Sequence, residues 1–456
     1  MSQSTTTQFT PRASLAALGC HLVQLKLFDV VREQVTIVQK TVLHSPSDKL
    51  YDAFITILAG AHGLVEANTR LRSDPALQAA FGRSSCADQS TIQATLNAAT
   101  HDNVVQMSDA LTHIYRSHSQ GFKHSYNHRP QLLDIDLSGM PCGKNAQLAT
   151  KGYFAKQRNR RGRQLGRVLA TRYNEIVTEA LFAGNVGLTN ALRPLVEAAE
   201  QVLELDAAKR AKTLLRIDSG GGSLAEVNWL LERGYALHTK EYSRQRARKL
   251  AKSVEEWVAD PRIADREVGW VSVPAPEYSR PLRRIGVRWT KPNGQKEYVV
   301  VRSTLRPQEL MAELGEPVEK VLDHEAVLLG YVRFYDERGG GVETSFKEDK
   351  QGVGLLKRSK KRFAAQQMVT MLGRLAHNVI VWARRWLAPH EAKLRKYGIK
   401  RMVRDIFHIS GFVVRNAYGR VVGIVLNERA PLVRGLARSL HVLLRPQRVA
   451  VNWGQT

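Results

Sequence analysis

The sequence predicts a mixed α/β fold with a helical N-terminal domain, a β-rich insertion and a basic C-terminal region. Helical spacing of apolar residues dominates up to about residue 129, and short apolar runs alternate with helical segments over 131–240. Residues 267–302 then alternate between apolar and polar. The 456 residues are 43% hydrophobic and 24% charged, which suits roughly two to four domains and excludes a disordered or collagenous chain.

The N-terminal region is predicted to be helical because apolar residues recur at helix spacing over 50–65 and 92–114. Asp88 is a candidate N-cap for a helix that follows it. The polar run over 87–93 leaves two interpretations open. It could be the second helix of a helix-turn-helix, or belong to a small helical bundle without DNA contacts.

The central region predicts a mixed sheet, because its elements follow the order of three strands, a helix, a strand, a helix and a strand. The predicted strands cover 132–137, 164–170, 174–182, 214–218 and 235–239, and the helices cover 188–205 and 224–233.

The rest of the chain, from residue 241 onward, predicts a helix, a β-rich insertion, further helices and a basic tail. Pro292-Asn293-Gly294 is a strong hairpin turn within the insertion. The predicted helices cover 242–259, 307–314, 341–350 and 359–387, and short strands are expected over 411–414 and 420–426.

Cysteine usage and apolar run lengths favour a reduced cytoplasmic protein. Cys20, Cys86 and Cys142 lie far apart, and they form neither a disulfide framework nor a CxxC zinc motif. No apolar run approaches the roughly 18 residues of a membrane-spanning helix. The apolar patch over 15–18 is interrupted at His21, which argues against a signal peptide.

The distribution of charge favours nucleic acid as a partner. The formal net charge is +26, of which residues 138–172 carry +9 and residues 351–456 carry +18, so the remainder sums to −1. Lysine and arginine contacts to phosphates release counterions and so drive nucleic-acid binding. The alternatives are a merely basic surface or attraction to anionic lipid, for which no amphipathic membrane helix or lipidation signal stands out.

Three carboxylates stand out as candidates for metal-dependent chemistry. Asp136 and Asp218 lie on or at the ends of short apolar strands, and Glu343 opens a helix after a glycine run. Burial of a carboxylate is costly unless a cation or hydrogen bonds compensate for it. Converging acids could bind a divalent cation, although a helix cap or a salt bridge is the common role of each acid alone.

The helix that begins near Glu343 brings basic residues to the same face as this acid. Lys347 and Lys350 follow Glu343 at i+4 and i+7. A carboxylate that binds a cation beside an ammonium group suits a phosphodiester substrate, whose phosphates the lysines would meet. The alternative is an ordinary solvated Glu–Lys pair.

At this point the chain resembles the DDE transposases of bacterial insertion sequences, in the cut-and-paste group with a ribonuclease H-like core. The signature of that group is Tyr, two residues, Arg, three residues, Glu, six residues, Lys. Tyr335, Arg338, Glu343 and Lys350 match it, except that four residues separate Arg338 from Glu343. The extra residue falls in the glycine run, where a loop could absorb it.

Two further segments carry the same resemblance. Residues 133–138 resemble the first-strand motif, which together with strand alternation selects Asp136 over Asp134. Residues 215–220 resemble the motif of the second aspartate, Asp218. The 125 residues from there to Glu343 suit the β-rich insertion of this group, and residues 59–77 resemble its helical N-terminal region.

The resemblance implies a ribonuclease H-like mixed sheet and a division into five segments. They are a helical N-terminal domain that binds DNA ends (1–129), the first part of the core (130–240), a helix plus β-rich insertion (241–320), the rest of the core with the catalytic Glu helix and a long helix (321–390), and a basic C-terminal region (391–456).

The resemblance also implies the chemistry. Asp136, Asp218 and Glu343 would be the catalytic residues and would bind two Mg²⁺ ions, which Mn²⁺ could replace. Water would cleave the phosphodiester at the transposon end and free a 3′-hydroxyl, which in related enzymes forms a hairpin before insertion.

DNA contacts are implied as well, both to the terminal inverted repeats and to target DNA. Phosphates would meet Tyr335, Arg338, Lys347 and Lys350, and the basic loop over 158–163 would contribute Arg160, Arg161 and Arg163. Trp270 and Trp289 are candidates for stacking on a flipped base, with core packing the commoner role of a strand tryptophan. A homodimer on paired ends is expected, cytoplasmic and associated with the nucleoid, with no membrane partner.

Three other functions remain open from the sequence. The first is a metal-dependent nuclease of the same fold without strand transfer. The second is an inactive or domesticated DNA-binding protein, against which the presence of all three acids argues. The third is a structural RNA-binding protein, and no aromatic and glycine-rich RNA motif supports it.

Overall fold

The computed structural model describes residues 5–40, 43–154, 157 and 159–456. These residues form two compact units. Unit 1 comprises the chain up to residue 119, residues 141–149 and the chain from 346 onward, and unit 2 comprises 120–140 and 150–345. This division differs from the five expected segments, because the long helix and the C-terminal region share a unit with the N-terminal helices.

The secondary structure alternates through the chain as follows. The helices are α1 Ala13–Gln24, α2 Asp29–Gln34, α3 Pro46–Leu58, α4 Ala67–Arg70, α5 Pro75–Ala80, α6 Gln89–Ala98, α7 His101–His118, α8 Leu188–Leu203, α9 Ala207–Ala211, α10 Leu224–Glu232, α11 Arg244–Ala251, α12 Pro307–Leu314, α13 His324–Asp336, α14 Val342–Gly352, α15 Phe363–Leu387, α16 Ile399–Arg401 and α17 Val433–Leu444. The strands are β1 Thr5–Thr10, β2 Gln131–Pro141, β3 Thr150–Lys151, β4 Arg161–Ala170, β5 Glu175–Ala183, β6 Thr213–Ile217, β7 Ala236–Lys240, β8 Val258–Ala259, β9 Arg266–Trp270, β10 Arg283–Thr290, β11 Lys296–Ser303, β12 Gly411–Asn416, β13 Val421–Asn427 and β14 Ala450–Gly454.

Unit 1 packs helices around α15 and closes with a small sheet. Helix α15 is buried over most of its length and packs against α3, α6 and α7. Most of its buried side chains are apolar, but Gln366, Arg374 and His377 are buried as well. The sheet has the order β1-β12-β13-β14, in which β1 pairs antiparallel with β12. Strand β1 was not predicted, since its sequence TTTQFT has no apolar alternation.

Unit 2 is built on one mixed sheet. Its order is β3-β4-β2-β6-β7-β11-β10-β9-β8, and β5 pairs with β4 at one end. Strands β2, β6 and β7 are parallel to one another. Strand β5 pairs antiparallel with β4, and β11 pairs antiparallel with β7. The predicted mixed α/β class is therefore confirmed, and the β-rich insertion extends the same sheet through β11.

One helix of the insertion is shorter than the sequence predicted. The expected helix over 242–259 is only α11, which Ser243 caps and which ends at Ala251. The chain then leaves the helix so that the buried Val254 can cover Gly269 and Gly286 on β9 and β10. The predicted hairpin joins β10 to β11, and Gly294 takes the positive φ of +77° that the turn requires.

Candidate active site

The first two candidate acids lie side by side because their strands are parallel neighbours. Strands β2 and β6 pair in register up to Ile135 and Ile217. Asp136 and Asp218 are the next residue on each strand, at the carboxyl end of the sheet pairing. Ligands in open α/β sheets bind at this edge, so the topology brings the two carboxylates together.

Arg338 joins the third acid to the first. Helix α13 ends at Asp336, a short 3₁₀ turn covers Glu337–Gly340, and α14 begins at Val342. The Arg338 guanidinium places Nη2 2.9 Å from Asp136 Oδ2 and Nη1 2.8 Å from Glu343 Oε1. The extra residue in the glycine run therefore does not separate Arg338 from Glu343.

Tyr335 and Lys240 surround the second acid. The Tyr335 hydroxyl donates a hydrogen bond of 3.0 Å to Asp218 Oδ1. The Lys240 ammonium lies 4.0 Å from the centre of the Tyr335 ring, at the end of β7. Sequence reasoning missed Lys240, although its position at the end of a core strand next to β6 was a usable signal.

The electrostatics of the site differ between the two aspartates. The pKa of Asp136 is raised to about 6: burial is the main cause, the Asp218 and Glu343 charges also raise it, and Arg338 opposes them. Burial also disfavours the charged form of Asp218. Arg338, the Ser219 backbone N–H and Tyr335 outweigh that effect and lower the pKa of Asp218 below its usual value.

Asp134 has a structural role. Strand alternation, on which the sequence prediction relied, does not distinguish it from Asp136. Asp134 and Asp136 are two residues apart, so both side chains lie on the same face of β2. The fully buried Asp134 instead forms a bidentate ion pair with Arg216, at 2.7 and 2.9 Å. Arg216 also donates to the Phe334 carbonyl at the end of α13, which fixes that helix to the sheet.

The carboxylates have the donor chemistry of a site for a hard divalent cation. Carboxylate oxygens are the ligands that Mg²⁺ and Mn²⁺ prefer. Within the described ranges, no three acidic, histidine or cysteine side chains stand at metal-binding spacing, and Arg338 and Tyr335 contact the oxygens instead. The three carboxylates lie close enough for Asp218 and Glu343 to raise the pKa of Asp136, in addition to the larger effect of burial, so the chemistry of this set of donors fits a cation.

The other residues that were predicted to contact DNA differ in how exposed their side chains are. Lys347 is exposed and Lys350 is half-buried on α14. Arg160 and Arg161 are exposed at the start of β4. Arg163 is a correction to the prediction, because it is only 1% exposed within that strand and cannot meet a DNA backbone. Arg158 lies outside the described residues.

The two candidate tryptophans occupy different positions in the insertion. Trp289 is half-buried and lines a cavity of about 320 Å³ together with Lys240, Arg266 and Asp336. Trp270 is 39% exposed, and its ring meets Tyr331 edge-on at 5.7 Å. Neither is a fully buried core residue.

Comparison with known proteins identifies the family. Residues 23–447 match the family model described as the transposase DDE domain, group 1. The chain belongs to this family of DDE transposases. The prediction of a DDE transposase is thereby confirmed. Among solved structures, the chain is similar to the piggyBac transposase in its synaptic complex with hairpin DNA, studied by cryo-EM. The TM-score is 0.43 at 11% identity, over 93% of this chain and 81% of that chain.

Two negative findings accompany this assignment. No curated protein matches the sequence of this transposase. Across the described ranges, none of its helices combines the length and the apolar character needed to cross a bilayer.

Proposed function

We propose that this DDE transposase is an active cut-and-paste enzyme of a bacterial insertion sequence, with Asp136, Asp218 and Glu343 as its catalytic acids. One observation carries the proposal. Two residues of the Tyr-Arg-Glu-Lys signature, Tyr335 and Arg338, bind all three acids within 3.0 Å. Acids from three separate elements would not be joined in this way by chance salt bridging.

We propose further that the core is ribonuclease H-like. The order of three strands, a helix, a strand, a helix and a strand supports this, as does the place of β2 between β4 and the parallel strand β6. The proposed site then lies where the pairing of β2 with β6 ends. Helix α14, which follows the insertion in the sequence, brings Glu343 to this site.

In the proposed reaction, the three acids hold two Mg²⁺ ions, which when bound would activate water and stabilise the leaving oxygen. The water oxygen forms a bond to the scissile phosphorus, and the bond from phosphorus to the 3′-oxygen breaks. The freed 3′-hydroxyl is then the nucleophile for strand transfer. Lys240 supplies positive charge for the substrate phosphates, and Tyr335 holds Asp218 in its charged form. Arg338 is only 2% exposed and is bonded to Asp136 and Glu343, so, contrary to the sequence prediction, it positions these acids and does not contact a phosphate.

DNA contacts in this proposal extend from the acids to their surroundings. Lys347, Lys350, Arg160 and Arg161 contact phosphates. The cavity beside Trp289 accepts an unpaired base, because it offers an aromatic wall and an apolar lining that includes Val287 and Val332. Its two cations, Lys240 and Arg266, are balanced by Asp265 and Asp336 in the same lining, so they do not add to this argument. We also propose the terminal inverted repeats and target DNA as partners, a homodimer on paired ends, and a cytoplasmic location.

The test is excision from a plasmid that carries the flanking sequences of the gene. Purified protein is incubated with the plasmid and Mg²⁺ or Mn²⁺, and the products are mapped by sequencing. We expect cleavage at defined ends, and the Glu343→Gln variant should reduce it at least about 10³-fold, since a metal ligand is lost. Glu325→Gln, on the exposed face of α13, is the matched control and should retain wild-type cleavage.

Each other outcome corresponds to a different function. Cleavage without joined products would indicate a nuclease of the same fold. Salt-sensitive binding to the flanks without cleavage would indicate an inactive DNA-binding protein. Undiminished cleavage by Glu343→Gln would move the catalytic acid elsewhere and refute the site.

A further inference from the structure

Helix α11 on the insertion presents a row of cations that no proposed role has used. Residues 244–252 contain five basic residues and no acidic ones. Arg244, Arg248 and Lys252 recur at i, i+4 and i+8, so they form a line about 12 Å long on one side of the helix. Lys249 lies beside this line, and Lys296 of the neighbouring β11 extends it. We call these five residues the α11 patch, and all five are exposed.

The cations of the α11 patch are only partly offset within the protein. Glu297 interacts with Arg244 and Arg248, and Glu267 interacts with Lys296, but these acids form their ion pairs with Lys291 and Arg288. Across the described part of the chain, none of the five forms an ion pair. The neighbouring Arg246, in contrast, pairs with Glu241 and Glu277 and so anchors the helix. Leaving five like charges close together is unfavourable unless a polyanion compensates for them.

The α11 patch also has an open concave surface. Arg248, Lys252 and Lys296 line a cavity of about 510 Å³ together with Gln295 and Tyr298. The Arg248 guanidinium lies 5.9 Å from the centre of the Tyr298 ring, which holds it beside this cavity. The surface therefore combines cations, an amide and one aromatic side chain, which is the composition of a phosphate-binding surface.

The α11 patch is separate from the catalytic acids. Val300 of β11 packs against Ala247 and Leu250 of α11, whereas the adjacent Val301 packs in the cluster that contains Tyr335. Because successive residues of a strand point to opposite faces, α11 covers the face of the sheet opposite to Tyr335. A duplex on the α11 patch would thus be held by contacts other than those at the scissile phosphate.

We infer that the α11 patch binds the phosphate backbone of duplex DNA independently of its sequence. The identity of the polyanion rests on the proposed function. A lipid surface is disfavoured because the apolar residues Ala247, Leu250 and Ala251 are buried against the sheet, and the exposed face offers none for insertion. Flexible Lys and Arg side chains on an exposed helix contact phosphates without reading bases.

The experiment measures the salt dependence of DNA binding by the full-length protein in EDTA. Fluorescence anisotropy reports affinity for two duplexes of equal length, one with the end sequence of the element and one random. The first variant is R244Q/R248Q/K249Q/K252Q. The control, K209Q/K212Q/R306Q/K320Q, removes the same charge from elsewhere in unit 2. A third variant, R244K/R248K/K249R/K252R, keeps every charge.

We expect the first variant to lower the slope of log affinity against log salt by roughly two to four on both duplexes, since each lost phosphate contact removes about 0.9. The control should change the slope by less than about one, and the charge-retaining variant should match the wild type. Equal slopes for the first variant and the control would overturn the inference. So would a loss confined to the end sequence, or tighter binding of the wild type to anionic vesicles than to duplex DNA.

This outcome is independent of catalysis. If the wild type never excises the element but the α11 patch still sets the salt slope, the proposed function fails and the inference stands. If excision occurs and the first variant keeps the wild-type slope, the inference fails alone. Thermal unfolding of each variant checks that the exposed substitutions leave the fold intact.

Discussion

Asp136 is the residue at which function and stability conflict most directly. Its side chain is 18% exposed and lies close to two other carboxylates, and the Arg338 guanidinium only partly offsets the effect of burial on its pKa. The cation site proposed here requires negative charge that the protein itself does not fully compensate. The folded protein without metal therefore bears a cost that a simple structural acid would not impose.

The pKa of Asp136 gives a prediction for stability against pH. Its folded value of about 6 exceeds the roughly 3.9 of an unfolded chain, so the folded state binds this proton more tightly. The contribution of Asp136 to stability therefore falls as pH rises from about 4 to 6, and its cost is complete above that range. We expect Asp136→Asn to stabilise the metal-free protein by about 1–3 kcal/mol at pH 7.5.

Urea unfolding in EDTA at pH 7.5, 6 and 5 measures this effect. The gain from Asp136→Asn should shrink toward pH 4.5. The control, Glu325→Gln, should show no gain at any of these values. A destabilising Asp136→Asn at pH 7.5 would mean that its ion pair with Arg338 outweighs the burial cost.

The ion pair of Asp134 and Arg216 gives a prediction of opposite sign. Asp134→Asn leaves a guanidinium that is 2% exposed without its charged partner, so we expect a loss of about 3–5 kcal/mol in the free energy of unfolding. The double variant Asp134→Leu/Arg216→Met should recover much of this loss, because no charge then stays buried. Chemical denaturation of the three proteins tests the prediction, and equal stability of both variants would contradict it.

At the scale of single residues, the sequence indicated which acids could take part in catalysis. It did not indicate which side chains contact each other in the folded protein. The motifs selected Asp136, Asp218 and Glu343 as candidate acids, and the structure brings all three to Arg338 and Tyr335. The partner of Asp134 was not predictable, since register between β2 and β6 sets that contact. The burial of Arg163 was missed for a similar reason, because charge alone does not show which face of a strand is covered.

At the scale of elements, the glycine run before α14 sets the position of the Glu-bearing helix. A Cβ on Gly341 would lie 2.1 Å from Asp134 Oδ2, an atom that Arg216 holds in place. At Gly340 a Cβ would meet no atom within 4 Å. Two adjacent glycines therefore have very different constraints.

We expect Gly341→Ala to destabilise the protein by about 2–4 kcal/mol and to reduce excision, since either Asp134 or the start of α14 must move. Gly340→Ala is the matched control and should change the free energy of unfolding by less than about 1 kcal/mol. Thermal denaturation and the excision assay compare the two. Equal tolerance of both substitutions would show that α14 can shift without cost.

Most elements with strong periodicity were predictable, and the exceptions have physical causes. Helix α12 has the predicted bounds, and the hairpin between β10 and β11 follows from its turn residues. Helix α11 is shorter than predicted, because tertiary packing of Val254 overrides the helical pattern. Strand β1 depends on a partner distant in sequence, and local periodicity carries no such information.

At the scale of the whole molecule, the N-terminal helices depend on the last third of the chain. Helices α3, α6 and α7 pack against α15, and β1 pairs with β12. Residues 1–129 expressed alone would expose the apolar surfaces that α15 covers. The predicted helical domain is thus one part of a discontinuous unit.

We therefore expect a fragment of residues 1–129 to lack a cooperative thermal transition and to bind a hydrophobic dye. The reason is that it loses the helix that forms the centre of its core. Circular dichroism and dye fluorescence of the fragment, compared with the full chain, measure this. A sharp transition in the isolated fragment would contradict the division into two units.

The mixed class and the order of core elements were predictable from the sequence, because both follow from local patterns in chain order. The joining of distant segments in unit 1 was not. It depends on contacts between residues such as Ser14 and Ile406, which lie 392 positions apart. Composition and periodicity do not record which distant segments will meet.

The pairing of β1 with β12 has a consequence in time. Arg415 of β12 donates a hydrogen bond to Gln8 of β1, which left the ribosome 407 residues earlier. At about 5–20 residues per second, β1 waits roughly 20–80 s for its partner. Throughout that interval the apolar helix α1 and an unpaired strand edge are open to aggregation and to chaperones. Because slower translation lengthens this interval, we expect it to lower the yield of correctly folded transposase.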